Sequence, residues 1–203
     1  MIALAAAGNL SLSQSVVSLL AEGMEDTNGG LETIRNVPSM FGAARLAGRA
    51  IRKVYETDAA ALEQQNMRFE VSLLLGGQIG GGPLRLFQVY SAGNFIEATF
   101  DTPYLQIGEH KYGKPILDRS ITHRTELLDA LKLGLISMDS TLRSNLSVGL
   151  PADLVVYRRD SLRSDLTFRI EPDEPYFRDL RERWSQALRD AHINIPQPPW
   201  VQA

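Results

Sequence analysis

The densest run of one chemistry-bearing residue type in these 203 residues is Gly76-Gly77-Gln78-Ile79-Gly80-Gly81-Gly82. Gly76 to Gly81 has the spacing that opens a P-loop, in which backbone N–H groups cradle phosphates while a Lys and a Ser/Thr hold the terminal phosphate and Mg²⁺. Gly82-Pro83 stand where those two side chains belong, so P-loop chemistry is excluded. A dinucleotide fingerprint fails too, because the run leads into a strand pattern, and the glycines read as a hairpin loop. His110, His123 and His192 are scattered, with no His-x-x-x-His or Glu-x-x-His spacing, which predicts no metal site and no cofactor. No Gly-x-Ser-x-Gly elbow is present for a Ser-His-Asp hydrolase. Zero Cys removes thiol nucleophiles, disulfide scaffolds and zinc ribbons.

Three segments have compositions unusual for plain loops. Met1–Leu10 is a small-residue strand running into a helix N-terminus. Gln106–Pro115 opens through glycines into a helix, and Ser140–Asp153 is a hydroxyl-rich turn between a helix and a strand. Caps and turns favour the same residues, so a purely structural role stays open for each.

The elements that must position these segments follow from periodicity. Met1–Ala7 reads as a buried strand; it lacks the basic flank of a signal peptide. A helix follows, with Asn9 or Ser11 as N-cap, Leu12, Val16, Leu19 and Leu20 as its apolar positions, and Gly23 as its stop. A longer helix begins near Pro38, with Met40, Ala44, Ala47, Ile51 and Val54 on one stripe and Arg45, Arg49, Arg52 and Lys53 on a solvated face. Two polar stretches, Glu25–Asn36 around Asn28-Gly29-Gly30 and Thr57–Arg68, read as loops or frayed helix ends.

Four short β runs come next: Phe69–Gly76, Leu84–Tyr90, Asn94–Phe100 and Tyr104–Gly108. Their short separators force antiparallel neighbours. Helices follow around Lys114–Arg119 and Thr125–Leu142, the second with Leu128, Leu131, Leu135, Met138 and Leu142 on one stripe. Ala152–Tyr157 and Leu166–Ile170 are strands again. The last helix starts near Asp173–Pro175 with Phe177, Leu180, Trp184, Leu188 and Ala191 on one face, and Ile195–Ala203 is an extended, proline-rich tail. The order β-αα-ββββ-αα-ββ-α is α+β, an antiparallel sheet with helices packed outside, and not a doubly wound fold.

Composition agrees with a globular chain. Apolar residues make up 44% and charged residues 22%, and the net charge is −3. A chain of this length buries roughly 70% of its unfolded surface, so a single domain over 1–203 is expected. The acidic balance gives no electrostatic reason to bind nucleic acid, although 17 of the 21 basic residues are Arg. No segment approaches the ~18 apolar residues of a membrane span, and the absence of Cys suits the cytoplasm.

Taken in order, the segments resemble the Anbu family of bacterial proteasome-type peptidases, relatives of proteasome β-subunits and of the HslV protease. The carriers are Ala7-Gly8-Asn9-Leu10, Leu75–Ile79, Gly93–Thr99, Ile107-Gly108-Glu109 with Tyr112–Arg119, and Asp139-Ser140-Thr141 leading to Arg143–Pro151. The similarity spans nearly the whole chain.

The resemblance implies the four-layer αββα sandwich of N-terminal nucleophile hydrolases, here without its first strands. In the family a Thr or Ser at the mature N-terminus attacks the peptide carbonyl. Its α-amino group serves as base, and an Asp and a Lys on the next strands activate it. All three lie upstream of the stretch that resembles Met1–Leu10, so the chain as given is expected to be inactive. The strand Ala3–Ala7 is expected to line the substrate pocket, with the Ala5 N–H as oxyanion donor and Ala3 and Ala7 shaping specificity. Gly108, Glu109, Ser144 and Ser147 belong to the surrounding shell. Glu109 stands where proteasome β-subunits have a Ser, Ser144 where they have an Asp, and Ser147 matches their second Ser. Peptide or protein substrates and a homo-oligomer, as ring or open spiral, are implied as partners. Two other readings remain open, a non-catalytic assembling homologue and a soluble α+β binding domain.

Overall fold

Strand β1 (Ile2–Gly8) turns at Gly8, φ 108°, directly into helix α1 (Leu10–Glu22), whose first amides are accepted by the Asn9 side chain. A Cβ at Gly8 would lie 2.2 Å from the Glu70 carbonyl oxygen, so only glycine makes this strand-to-helix corner. In this computed structural model residues 1–25 and 29–201 are described. The chain divides into two units, residues 1–110 with 155–167, and residues 111–154 with the chain from Phe168 onward.

In the first unit β1 pairs antiparallel with β4 (Val71–Gly77), β4 with β5 (Arg85–Val89) and β5 with β6 (Phe95–Glu97), giving the order β1-β4-β5-β6. Strand alternation sends Val71, Leu73, Leu75, Phe87 and Val89 to one face, where all are buried. Leu12, Val16 and Leu20 of α1 cover that face together with α2 (Met40–Gln64). The expected stripe of α2, Met40, Ala44, Ala47, Ile51 and Val54, is wholly buried, while Arg45, Arg52 and Lys53 face solvent. Arg49 departs from that solvated face, being half-buried and paired with Glu32. Buried Gln78 closes the β4–β5 loop: its Nε2 donates to the Gly82 carbonyl and to Asp160 Oδ1, both at 2.7 Å. Its Oε1 accepts from Tyr157 Oη and the Asp160 amide at 2.9 and 2.8 Å.

Three local expectations change here. Helix α2 runs on to Gln64 through part of the stretch expected to be loop or frayed helix end, because Ala59-Ala60-Ala61-Leu62-Glu63 are strong helix formers. The first polar stretch holds a two-residue ladder, β2 (Met24–Glu25) with β3 (Leu31–Glu32); the turn expected at Asn28 lies outside the described residues. Tyr104–Gly108 is not a strand. The chain turns back on itself when the Thr99 amide meets the Thr102 carbonyl, and β6 has no further ladder neighbour among the described residues.

In the second unit α4 (Leu127–Ser144) packs with α3 (Lys114–Ser120) and α5 (Pro175–Asn194). Ile136, Ile170, Phe177 and Leu180 form its core. The apolar stripe expected on α4 holds in part: Leu135 and Leu142 pack against that core, but Leu128 and Met138 are exposed while Ser137, Asp139 and Thr141 are buried. A polar stripe takes the contact because Gly113 lets the chain approach Ser137 closely and because Asp139 is paired with arginines. On α5 Phe177 and Leu180 are buried and Trp184 is half-buried, but Leu188 is exposed. Strands β7 (Ala152–Val156) and β8 (Leu166–Ile170) form a two-stranded sheet. Within the expected extended tail Pro199–Val201 form a 3-10 turn, and Gln202 and Ala203 lie outside the described residues. Among the described residues no helix is long and apolar enough to cross a membrane.

Candidate functional site

β1 occupies the edge of its sheet, with β4 on one side and no strand on the other among the described residues. Ala3, Ala5 and Ala7 pair with Gly76, Leu74 and Ser72, on the face turned away from the helices. Ala3 and Ala5 are exposed and Ala7 is half-buried. A Cβ built on Gly108, φ 72°, would touch the Ala7 Cβ at 3.5 Å. Two expected site residues, Ala7 and Gly108, are thus brought together.

The direction of the backbone groups follows from the ladder. Met1 and Gln78 exchange both of their main-chain hydrogen bonds, at 2.7 and 2.9 Å. The Asn9 amide donates to the Glu70 carbonyl at 2.8 Å. The register between them is continuous, and antiparallel pairs alternate between bonded and unbonded. Odd-numbered residues of β1 therefore spend their N–H and C=O groups on β4. Val71, opposite Gly8, confirms the phase, because its amide and carbonyl both bond to the Ser91 hydroxyl on the other side. The Ala5 N–H consequently points at β4, away from the open edge. The outward groups belong to Ile2, Leu4, Ala6 and Gly8, of which Ala6 and Gly8 flank Ala7 and so lie nearest Gly108.

Glu109 is half-buried beside Gly108, whose carbonyl is 3.1 Å from His110 Nδ1. In the second unit Ser144 is the exposed last residue of α4. The Ser147 amide and hydroxyl both donate to Asn145 Oδ1, at 2.8 and 2.6 Å. This fixes a tight turn and occupies the Ser147 hydroxyl proton. No group of three or more His, Cys, Asp or Glu among the described residues could hold a metal ion.

Chemically, an open strand edge offers alternating donors and acceptors to an extended peptide, and alanine side chains leave room for that peptide's own side chains. Neither β1 nor Gly108 carries a nucleophilic atom. Two features escaped the reading of residue types. One is the outward set at Ala6 and Gly8, for which the only sequence signal is a glycine closing the strand. The other is Gln106, whose Oε1 is buried and without a hydrogen-bond partner; a polar residue two positions before Gly108 was its only signal.

No family model matches this sequence, and no curated protein matches it. Solved structures do. The chain is 47% identical to Anbu, described as an ancestral beta-subunit, from Yersinia bercovieri, with a TM-score of 0.87, covering 97% of this chain and 80% of that one. It is 47% identical to Anbu from Hyphomicrobium sp. strain MC1, with a TM-score of 0.87, covering 98% of this chain and 81% of that one. The helical assembly of the Anbu complex from Pseudomonas aeruginosa is 45% identical, with a TM-score of 0.88, covering 100% of this chain and 82% of that one.

Proposed function

Because this chain belongs to the Anbu family, with its α+β proteasome-subunit fold, we propose that it is a self-assembling proteasome-type subunit whose strand β1 forms one wall of a peptide site. The observation that carries the reading is the open edge of β1, where small side chains alternate with outward N–H and C=O groups. An extended peptide adds to that edge as a further antiparallel strand. The Ala6 and Gly8 amides are the donors placed to stabilise an oxyanion on a bound carbonyl. Ala3, Ala5 and Ala7 set the side-chain room, Gly108 bounds it beside Ala7, and Glu109 continues the shell from Gly108. The setting is the cytoplasm, and the partners are peptide substrate and further copies of the chain.

By the family's mechanism hydrolysis needs an N-terminal Thr or Ser with an Asp and a Lys. Neither β1 nor Gly108 carries a nucleophilic side chain, so this wall is expected to bind peptide without itself cleaving it. The same observation favours a second reading, an assembling homologue with no hydrolytic role.

A fluorescein-labelled extended peptide of small apolar residues tests this by anisotropy. Saturable binding is expected, weakened at least about tenfold by Ala7→Phe, which fills the space beside Gly108; mass spectrometry should find the peptide intact. Absence of saturable binding, or binding indifferent to Ala7→Phe, removes the peptide site and leaves the assembling reading.

A further inference from the structure

Large apolar side chains are exposed singly over most of the surface, which is ordinary. One segment gathers them. Between Leu188 and Trp200 four stand out of the fold: Leu188 at 52% exposure, Ile193 at 76%, Ile195 at 67% and Trp200 at 82%. Helix α5 ends at Asn194, and the Ile195 amide closes its last turn on the His192 carbonyl. Beyond it Pro196, Pro198 and Pro199 fix φ at three of four positions and remove three amide donors. Such a segment neither extends the helix nor pairs as a central strand. It is also stiff before it meets anything, so docking costs it little conformational entropy.

We infer that the segment from Ile193 to Trp200 is an intersubunit strap, with Trp200 anchoring it in an apolar recess of a second copy of this chain. The inference rests on the self-assembly proposed above and names the surface that carries it. A second copy is the favoured occupant. The Pseudomonas aeruginosa protein forms a helical assembly, and its similarity to this chain covers the whole of it, tail included. A helical array of like subunits gives every copy the same neighbour, so one heterologous contact repeated along the array covers every tail. Trp is the side chain most enriched at the energetic centre of such contacts. Leu128, 65% exposed on α4 beside Leu127 at 37%, lies outside this segment and serves as the control.

Sedimentation of the 203-residue protein across a concentration series tests the strap. Trp200→Ala and the pair Ile193→Ser with Ile195→Ser should each weaken self-association at least about tenfold, the scale of a hot-spot truncation. Leu128→Ser should leave association unchanged. All the changed residues are exposed, so circular dichroism should stay that of the wild type. Acrylamide quenching of tryptophan fluorescence gives a second measure, expected to fall as the wild type assembles. If the wild type assembles and Trp200→Ala assembles equally well, or Leu128→Ser weakens it as much, the strap is wrong while self-assembly stands. Protection of Trp200, read as the difference between the wild type and Trp200→Ala, that does not depend on concentration places the tail on its own chain and overturns the strap. A wild type that stays monomeric at every concentration overturns both the strap and the self-assembly reading.

Discussion

Arg181 of α5 donates from Nε to Oδ1 of Asp139 on α4 across 2.6 Å, and Asp139 is itself fully buried. Arg143 reaches the same carboxylate at 3.0 Å from one turn further along α4. The two arginines are not equivalent. Arg181 ties two helices and its side chain is 32% exposed, whereas Arg143 closes an i,i+4 pair on one helix at 49% exposure. Arg181→Met should therefore lower unfolding stability by about 2 kcal/mol, below the usual cost of orphaning a buried charge because Arg143 remains. Arg143→Met should cost only about 0.5 kcal/mol. Urea unfolding of the two variants reads the difference, and equal losses would show that Arg181 is not the linking contact.

Two helical glycines should respond to alanine with opposite signs. A Cβ at Gly48 would lie 2.2 Å from the Gly93 carbonyl oxygen, in the turn between β5 and β6. That atom is backbone and cannot move without disturbing the turn, so Gly48→Ala should destabilise by about 2 kcal/mol despite alanine's better helix propensity. At Gly134, within α4, nothing lies within 4 Å of a built Cβ. Gly134→Ala should stabilise by about 0.5–1 kcal/mol. Paired thermal melts decide both signs.

Much of this arrangement was legible in the residues, and the failures share a cause. The α2 stripe and the Asn9 cap were readable because each is a local pattern, apolar spacing in one case and a capping side chain in the other. The α4 stripe misled because Leu128 and Met138 satisfy the helical period but have no neighbour to bury them, while Ser137 and Asp139 meet partners 24 and 42 residues away in the chain. The family was readable from ordered motifs. The outward direction of the Ala6 and Gly8 amides was not, since it depends on how β1 registers on β4, and a shift of one residue reverses it.

Arg85 and Glu97 form a two-pronged ion pair across β5 and β6, at 2.6 and 2.5 Å, with the guanidinium also over the Phe87 ring at 4.7 Å. The hydrogen bond from Arg85 is the main cause that holds the Glu97 carboxyl below the ordinary range; the Arg85 charge adds to it, and burial opposes both. A carboxylate depressed in the folded state contributes stability that is present above its unfolded pKa, about 4.3, and lost as the pH falls through the lower folded value. Glu97→Gln should therefore be less stable than the wild type by about 1 kcal/mol at pH 6. The gap should close as the pH falls below about 4. A gap that is constant over that range would assign the effect to packing instead of charge.

Gln78 offers the sharpest test of loop closure in the first unit, because it uses both ends of its amide. Replacing it by Leu keeps the volume but leaves Asp160 and the Gly82 carbonyl without their donor, and Tyr157 and the Asp160 amide without their acceptor. Stranding that many polar groups at a site only 1% exposed should cost about 3 kcal/mol. Gln78→Glu restores the acceptor for Tyr157 and the Asp160 amide but sets a carboxylate against Asp160 and a carbonyl, so it should not rescue stability at neutral pH. Limited proteolysis between Arg158 and Arg163 separates local release from global unfolding. Tryptic cleavage there is expected to accelerate in both variants while β4 and β5 stay protected from amide exchange, since their cores are held by α1 and α2. Cleavage at the wild-type rate in Gln78→Leu would mean that the 157–160 segment is held by something other than this amide.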